Sequence, residues 1–240
     1  MGRARELGAA AAATITLSVA LASCSSGGSS AETSTTTTAA TASQQSSQSA
    51  SQIAAASRAA MQSLTSARVV GIVRTGGQNV QTNMILTSST SAGTFAFGKS
   101  AIEVLVSGDT AYARANEAFW VSTGAPAAIA ARLADRWVTG IPSAATSGFT
   151  SQLSLQSFVS STFNDVTLTK GPTTTVGGQS AIPLTVTNGV VGYVAAEGTP
   201  YLLKVTGGTS TKGTLFIDEF NSARTPTVPA NPLNFSSLKV

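Results

Sequence analysis

Short β-rich runs closed by glycine-bearing turns recur down most of this chain, and they constrain its fold more than any other feature. The stretch "ARVVGIVRTGGQNVQTNMILT" sets two such runs around Gly76-Gly77. That is a hairpin signature, because glycine takes the positive φ that a tight turn between twisted strands demands. Along the second run Val80, Met84 and Leu86 share one face, with Thr82 between them. The next stretch, "GTFAFGKSAIEVLVSGDTAYAR", points Phe95 and Phe97 one way, then Ile102, Val104 and Val106, and turns again at Gly108-Asp109. Four or five antiparallel strands are therefore expected in succession. Further on the pattern returns in "DVTLTKG", "TTTVGGQSAIPLTVT", "GVVGYVAA", "PYLLKVTGG" and "KGTLFIDEF", with turns at Gly177-Gly178, Asn188-Gly189 and Gly207-Gly208.

Helical spacing precedes and interrupts these strands. "SQIAAASRAAMQSL" puts Ile53, Ala56, Ala60 and Leu64 on one face, with Ser51 as its N-cap. "ANEAFWVSTGAPAAIAARLADRWVTG" is rich in alanine, spaces Ile129 and Leu133 as a helix does, and carries Phe119, Trp120 and Trp137 at its borders. "SQLSLQSFVSSTF" gives Leu155, Phe158 and Val159 to one face of a short helix. The sum predicts an α+β fold, one large antiparallel sheet with a helical layer on one side. Two similar β-meander halves are the alternative, and no internal repeat argues for it. "RVVGIV" and "EVLVS" are apolar on both faces, as in a sheet covered on more than one side or packed loosely on one.

The N-terminus sets the compartment. Arg3 and Arg5, partly offset by Glu6, precede an uncharged run from about Leu7 to Ala22, which has the layout of an export signal. The quartet Leu21, Ala22, Ser23, Cys24 then resembles the bacterial lipobox, at which the cysteine sulfur receives a diacylglyceryl group and becomes the first mature residue. Cys24 is the only cysteine in 240 residues, so no other thiol competes for the role. The other reading is an ordinary secretory signal, cut at an A-x-A-like site, that happens to contain a cysteine. Each buried CH₂ contributes about 0.8 kcal/mol and one chain alone binds membranes reversibly, so an anchor with several chains does not leave on its own. The folded part is thus expected outside the cytoplasm, held to the cell membrane by its N-terminal lipid. Three segments follow from this: residues 1–23 as signal peptide, 24–50 as lipidated cysteine and tether, and 51–240 as the folded domain.

Between Cys24 and about residue 50 the chain holds only Ser, Thr, Ala, Gln and Gly apart from Glu32. Such a composition buries too little apolar surface to offset its conformational entropy, so it is expected to be a disordered tether averaging about 30 Å end to end. The "TSTTTT" run within it suits either O-glycans or a protease-resistant spacer.

Several function classes lose support on composition alone. The formal charge of +4 falls to +3 once Arg3, Arg5 and Glu6 leave with the signal, and the basic residues are scattered. No basic cluster interleaves with aromatics, so nucleic acid is not an expected partner. The chain has no histidine, which removes Ser-His-Asp and Cys-His machinery and the usual zinc sites. The closest carboxylate pair, Asp218-Glu219, falls on opposite faces of a predicted strand and does not suit acid/base catalysis. The string "GTFAFGKS" matches G-x-x-x-x-G-K-[ST], but it falls within the expected strand meander rather than between a strand and a helix, so it carries no phosphate-loop reading. S-x-x-K occurs as "SSLK" at residues 236–239, with no further catalytic pattern around it. Neither an enzyme nor a cofactor or metal is expected.

The lipobox, "AMQSLTSARVVGIV", "EVLVSGDTAYARANEAFW", "LADRWVTG", "TTTVGGQSAIPLTV", "GTPYLLKVTGG" and "GTLFIDEFN" occur in the order found in actinobacterial lipoproteins of the LppX/LprA/LprF/LprG type. The resemblance runs from Cys24 to near the end of the chain. Each motif alone is a common strand-turn-strand pattern; their order carries the likeness. The resemblance implies the fold of LolA/LolB-like carriers, a large antiparallel β half-barrel with helices covering its concave face. It also implies an apolar cavity between sheet and helices that holds acyl chains of envelope lipids or glycolipids. On this sequence the wall of such a cavity would fall on Met84, Leu86, Phe95, Phe97, Ile102, Val104, Leu155 and Phe158. Read from patterning alone, the same residues suit plain core packing, which is the basis of a second reading: a surface-anchored structural or interaction lipoprotein with a solid core and no lipid ligand.

Overall fold

Turn chemistry and alternation build the sheet. Strands β1 (Ser66–Thr75) and β2 (Gln78–Thr87) pair antiparallel from end to end, and Gly77 turns between them at a φ of +80°. β3 (Thr90–Phe97), β4 (Ser100–Ser107) and β5 (Thr110–Ala115) continue the meander, so the expected succession has five members. Two short strands, β6 (Val138–Thr139) and, near the C-terminus, β13 (Leu233–Asn234), lie beyond β5 and are parallel to each other. The second series comprises β7 (Leu168–Lys170), β8 (Thr174–Val176), β9 (Gln179–Val186), β10 (Val190–Ala195), β11 (Leu202–Gly207) and β12 (Lys212–Asp218). Gly177 and Gly178 join β8 to β9 with both φ values positive, +57° and +83°, the sense that matches the twist of the strands they connect. β12 returns to lie antiparallel against β1, which welds the two series into one sheet.

This is a computed structural model describing residues 45–237 apart from 76, 142, 161–166 and 208–211. Cys24, the export signal and the tether up to residue 44 lie outside the described residues. The elements all belong to one compact unit, Thr35–Val240. Among the described residues the sheet has thirteen strands, in the order β13-β6-β5-β4-β3-β2-β1-β12-β11-β10-β9-β7, with β8 pairing β9 beside this path. All of its pairings other than β6 with β13 are antiparallel. The path has two ends, so the sheet is open rather than a closed barrel.

Helix α1 (Ala50–Gln62) begins two residues earlier than its spacing predicts. Its N-cap is Ser49, not Ser51: the Ser49 N–H donates to Gln52 Oε1 at 2.9 Å, and the Gln52 N–H donates to Ser49 Oγ at 3.3 Å. This reciprocal box satisfies two donors that would otherwise be orphaned. The buried side is Ile53, Ala54, Ser57 and Met61 rather than the expected Ile53, Ala56, Ala60 and Leu64. Alanine marks no face, so the long Met61 side chain decides the rotation and draws Ser57 inward with it. Leu64, past the helix end, is buried as well.

The alanine-rich middle is two short helices, α2 (Glu117–Ser122) and α3 (Ala127–Leu133), broken where Gly124 takes a φ of +90° ahead of Pro126. Phe119 and Trp120 therefore sit inside α2 and are buried there, while Trp137 follows α3. A strap comes next: α4 (Ser143–Thr150), a 3-10 turn (Ser151–Leu153) and α5 (Leu155–Ser160). α5 buries Leu155 and Val159, with Phe158 half-buried beside them.

The last residues of the expected tether are folded. A helical turn at 45–47 is pinned by Lys170, whose Nζ donates to the carbonyls of Ser46 at 2.9 Å and Gln48 at 2.8 Å. Gln45 is buried and its Nε2 donates to the Gly198 carbonyl at 3.2 Å. Polar chain of this kind orders here because a lysine ammonium supplies donors to its free carbonyls.

One main core lies between the sheet's inner face and the helices, joining Ile53 and Met61 of α1 to Val69, Leu86, Val104, Ile182 and Leu202 of the sheet. A second, smaller cluster on the other face gathers Val176, Ala181, Ala195 and Leu203, with Tyr201 and Phe220 stacked at 4.3 Å beside it. The strands apolar on both sides are explained only in part by this cover, since Ile72 and Phe216 remain 46% and 41% exposed at the sheet's outer centre. Asp218 and Glu219 do not lie on opposite faces. β12 ends at Asp218, Glu219 turns at a φ of +51°, and both carboxylates approach Arg68 Nη1, at 3.5 and 3.8 Å.

Candidate functional site

The inner face of β1–β3 is where the sheet leaves room. Register aligns Val73 with Val80, Thr82 with Phe95, and Met84 with Gly93, so these side chains point to the same side as the helices. Over them passes the strap, and between strap and sheet lies an open cleft of about 450 Å³. Val73, Val80, Phe95, Phe97 and Phe149 form its apolar walls; Thr82, Gln78 and Gln152 are its polar members. The volume falls in the range of about 300–1,000 Å³ usual for small-molecule sites.

Ring contacts hold Phe149 of α4 to the sheet side of this cleft. Its ring centroid lies 5.0 Å from Phe95, 6.3 Å from Phe97 and 6.2 Å from Phe119. Each such aromatic pair contributes about 0.5–1.5 kcal/mol beyond the area it buries.

A second cleft, about 440 Å³, opens on the other side of the 3-10 turn. Met61, Leu64, Leu155 and Val159 give it an apolar floor, and Thr87, Ser88, Ser89 and Ser91 a hydroxyl rim. Much of that rim is already satisfied internally: Thr87 Oγ1 donates to the Thr90 carbonyl at 2.7 Å, and Ser91 Oγ accepts from the Thr87 N–H at 3.0 Å. Leu153 is the partition between the two clefts. It seats on the strand at Gly93, where an added Cβ would stand 2.8 Å from Leu153 Cδ2 and 3.0 Å from the Phe95 ring. A third cleft, about 410 Å³, lies at the edge by Thr110, Thr139 and Ile141.

The residues expected to line a cavity divide between these places. Phe95 and Phe97 stand in the wall of the first cleft, and Leu155 in the floor of the second. Met84, Leu86, Ile102 and Val104 are 0–4% exposed in the main core and border none of the three clefts. Phe158 packs half-buried against that core. Cys24 lies outside the described residues. Sequence patterning does not single out Phe149, Gln152 or Leu153. The one signal there is weak: a single large aromatic within the otherwise small and polar "PSAATSGFTSQ".

Among the described residues no three His, Cys, Asp or Glu side chains gather as a metal site would require. No described helix is long and apolar enough to cross a membrane.

No protein-family model matches the chain, and no curated protein matches its sequence. Solved structures do resemble it. LprF from Mycobacterium bovis is 13% identical, with a TM-score of 0.49, over 76% of this chain and 97% of its own. The Mycobacterium tuberculosis lipoprotein LppX is 16% identical, with a TM-score of 0.45, over 77% and 100%. An uncharacterised conserved protein from Thermus thermophilus is 9% identical, with a TM-score of 0.40, over 78% and 98%.

Proposed function

We propose that this chain is a cell-envelope lipoprotein, anchored through a diacylglyceryl group on Cys24, that binds or carries acyl lipids in the cleft between sheet and strap. One observation carries the reading: a cleft of about 450 Å³ whose walls are Val73, Val80, Phe95, Phe97 and Phe149. A wall of this composition offers an acyl chain the transfer out of water and little else, about 25 cal/mol for each Å² of apolar surface covered. The export signal, the lipobox-like quartet before Cys24 and the ordered motifs shared with envelope lipoproteins support a location at which acyl chains leaving a membrane need shielding. The reading involves no catalysis and no cofactor. Its expected partners are the membrane and a lipid or glycolipid ligand.

Native mass spectrometry of the full-length protein, purified from a host that exports and lipidates it, tests this. The expected result is a population heavier than the lipidated chain by one lipid, removed by organic extraction. A single mass equal to the lipidated chain, with no uptake of added phospholipid, supports the second reading instead, an anchored interaction protein. That alternative draws on the solid packing of Met84, Leu86, Ile102 and Val104.

A further inference from the structure

Thr82 is the anomaly in the first cleft's wall. It is 5% exposed, and its Oγ1 is buried with no hydrogen-bond partner. Register explains the isolation. On the inner face Thr82 lies beside Gly71 of β1 and Phe95 of β3. Gly71 has no side chain to offer and no room for one, since a Cβ there would stand 2.0 Å from the Thr214 carbonyl oxygen. Phe95 offers only a ring. The neighbouring wall residues Val73, Val80 and Phe97 carry no donor or acceptor on their side chains. A hydroxyl buried without a partner is unfavourable, and valine would fill the same volume without that cost. The hydroxyl is shielded within the wall, and a turn of its χ1 toward the cleft would bring it to an acceptor on an occupant and remove the penalty.

We propose that the cleft selects lipids whose acyl chains are attached through a carbonyl, as esters or amides, and that Thr82 Oγ1 donates to that carbonyl oxygen. The proposal rests on the reading of the cleft as an acyl-chain site and names its ligand class. A carbonyl oxygen accepts and does not donate, which suits a lone hydroxyl in an apolar wall. A plain hydrocarbon or an ether-linked chain brings no carbonyl and leaves the hydroxyl unpaired or poorly paired. Gln78 and Gln152 line the same cleft and supply amide groups for the more polar part of the lipid. The hydrocarbon then runs along Phe95, Phe97 and Phe149.

A competition experiment tests it. The full-length protein is mixed with detergent micelles holding equal amounts of a diester phospholipid and its diether analogue of the same chain length and headgroup. Bound lipid is then counted by native mass spectrometry. The wild type is expected to enrich the diester about 3- to 10-fold, the size of one neutral hydrogen bond. Thr82→Val, of equal shape, is expected to take both lipids alike while melting at the same temperature or higher, and Thr82→Ser to keep the preference. Equal uptake of both lipids by the wild type overturns the carbonyl subsite and leaves the acyl-lipid reading standing. A diester preference that survives in Thr82→Val overturns the role of Thr82. Uptake of neither lipid overturns the acyl-lipid reading, and the subsite with it.

Discussion

Gly93 shapes the candidate site by lacking a side chain. In the interior of a strand glycine is unfavourable, for entropy and for want of packing, and it often marks a close approach. Here the approach is that of Leu153, whose Cδ2 would lie 2.8 Å from any Cβ at this position. Gly93→Ala would gain some stability by restricting the unfolded chain, about 0.4–1 kcal/mol, but must push Leu153 or the Phe95 ring aside. Overpacking of this kind costs about 1–3 kcal/mol, so a net loss of roughly 1–2 kcal/mol is expected in urea unfolding. Because the clash is with one side chain, the double mutant Gly93→Ala/Leu153→Ala should lose less than the two single changes added. Strictly additive losses would mean that Leu153 does not rest on Gly93. Little of this is legible in sequence. "SAGTFAF" announces a strand that tolerates glycine, but which side chain presses on that glycine depends on a segment some sixty residues later. Thr82 is readable as a polar member of an apolar face, whereas its lack of a partner follows from Gly71 on the next strand.

Elements are legible where turn chemistry and periodicity agree. The meander from β1 to β5 and the hairpins around Gly177-Gly178 and Asn188-Gly189 stand where glycine turns and period-two runs put them. α1 is legible in kind but not in rotation, because alanines at 54, 56, 59 and 60 leave no unequivocal apolar stripe. The two-residue strands β6 and β13 are too short to have a period, and exist because Val138 and Leu233 meet the edge of a sheet already formed. α4 escapes notice for a similar reason: small and polar residues carry no face, while Phe149 packs it against the core. Hollow and solid parts of the inner face are also indistinguishable by pattern, since Val80 and Val104 are equally apolar in equally regular strands. Their surroundings separate them. Val104, 0% exposed between Gly93 and Ala113, has no space beside it, and Val104→Trp is expected to cost about 3 kcal/mol or to prevent folding. Val80 is half-buried in the cleft wall, so Val80→Trp is expected to shift the melting midpoint little while abolishing uptake of a fluorescent acyl probe. Equal destabilisation by both substitutions would argue that the cleft is not available space.

At the scale of the whole molecule, the proposed anchor and the proposed acyl-chain cleft fall on different parts of the chain. Among the described residues the folded unit begins at Gln45: its first turn is fastened by Lys170 and Gly198, and its first helix is capped by Ser49 and Gln52. None of those contacts involves Cys24, which precedes Gln45 by a segment of small polar residues. If anchoring is the task of Cys24 alone, it must be separable from folding and from the cleft. Cys24→Ser removes the only thiol in the protein and with it the nucleophile that the proposed diacylglyceryl transfer requires. Metabolic labelling of the exporting host with an alkyne fatty acid is then expected to mark the wild type and to leave the variant unmarked. Circular-dichroism melting should give the same midpoint for both, within the few tenths of a kcal/mol usual for changes remote from the folded contacts. Uptake of added phospholipid should also be unchanged, because the described residues lining the first cleft fall within 73–152. Label that persists in the variant would show attachment elsewhere in the chain. A lowered midpoint would show that the N-terminal segment contributes to the fold, and the division between anchor and cleft would have to be given up.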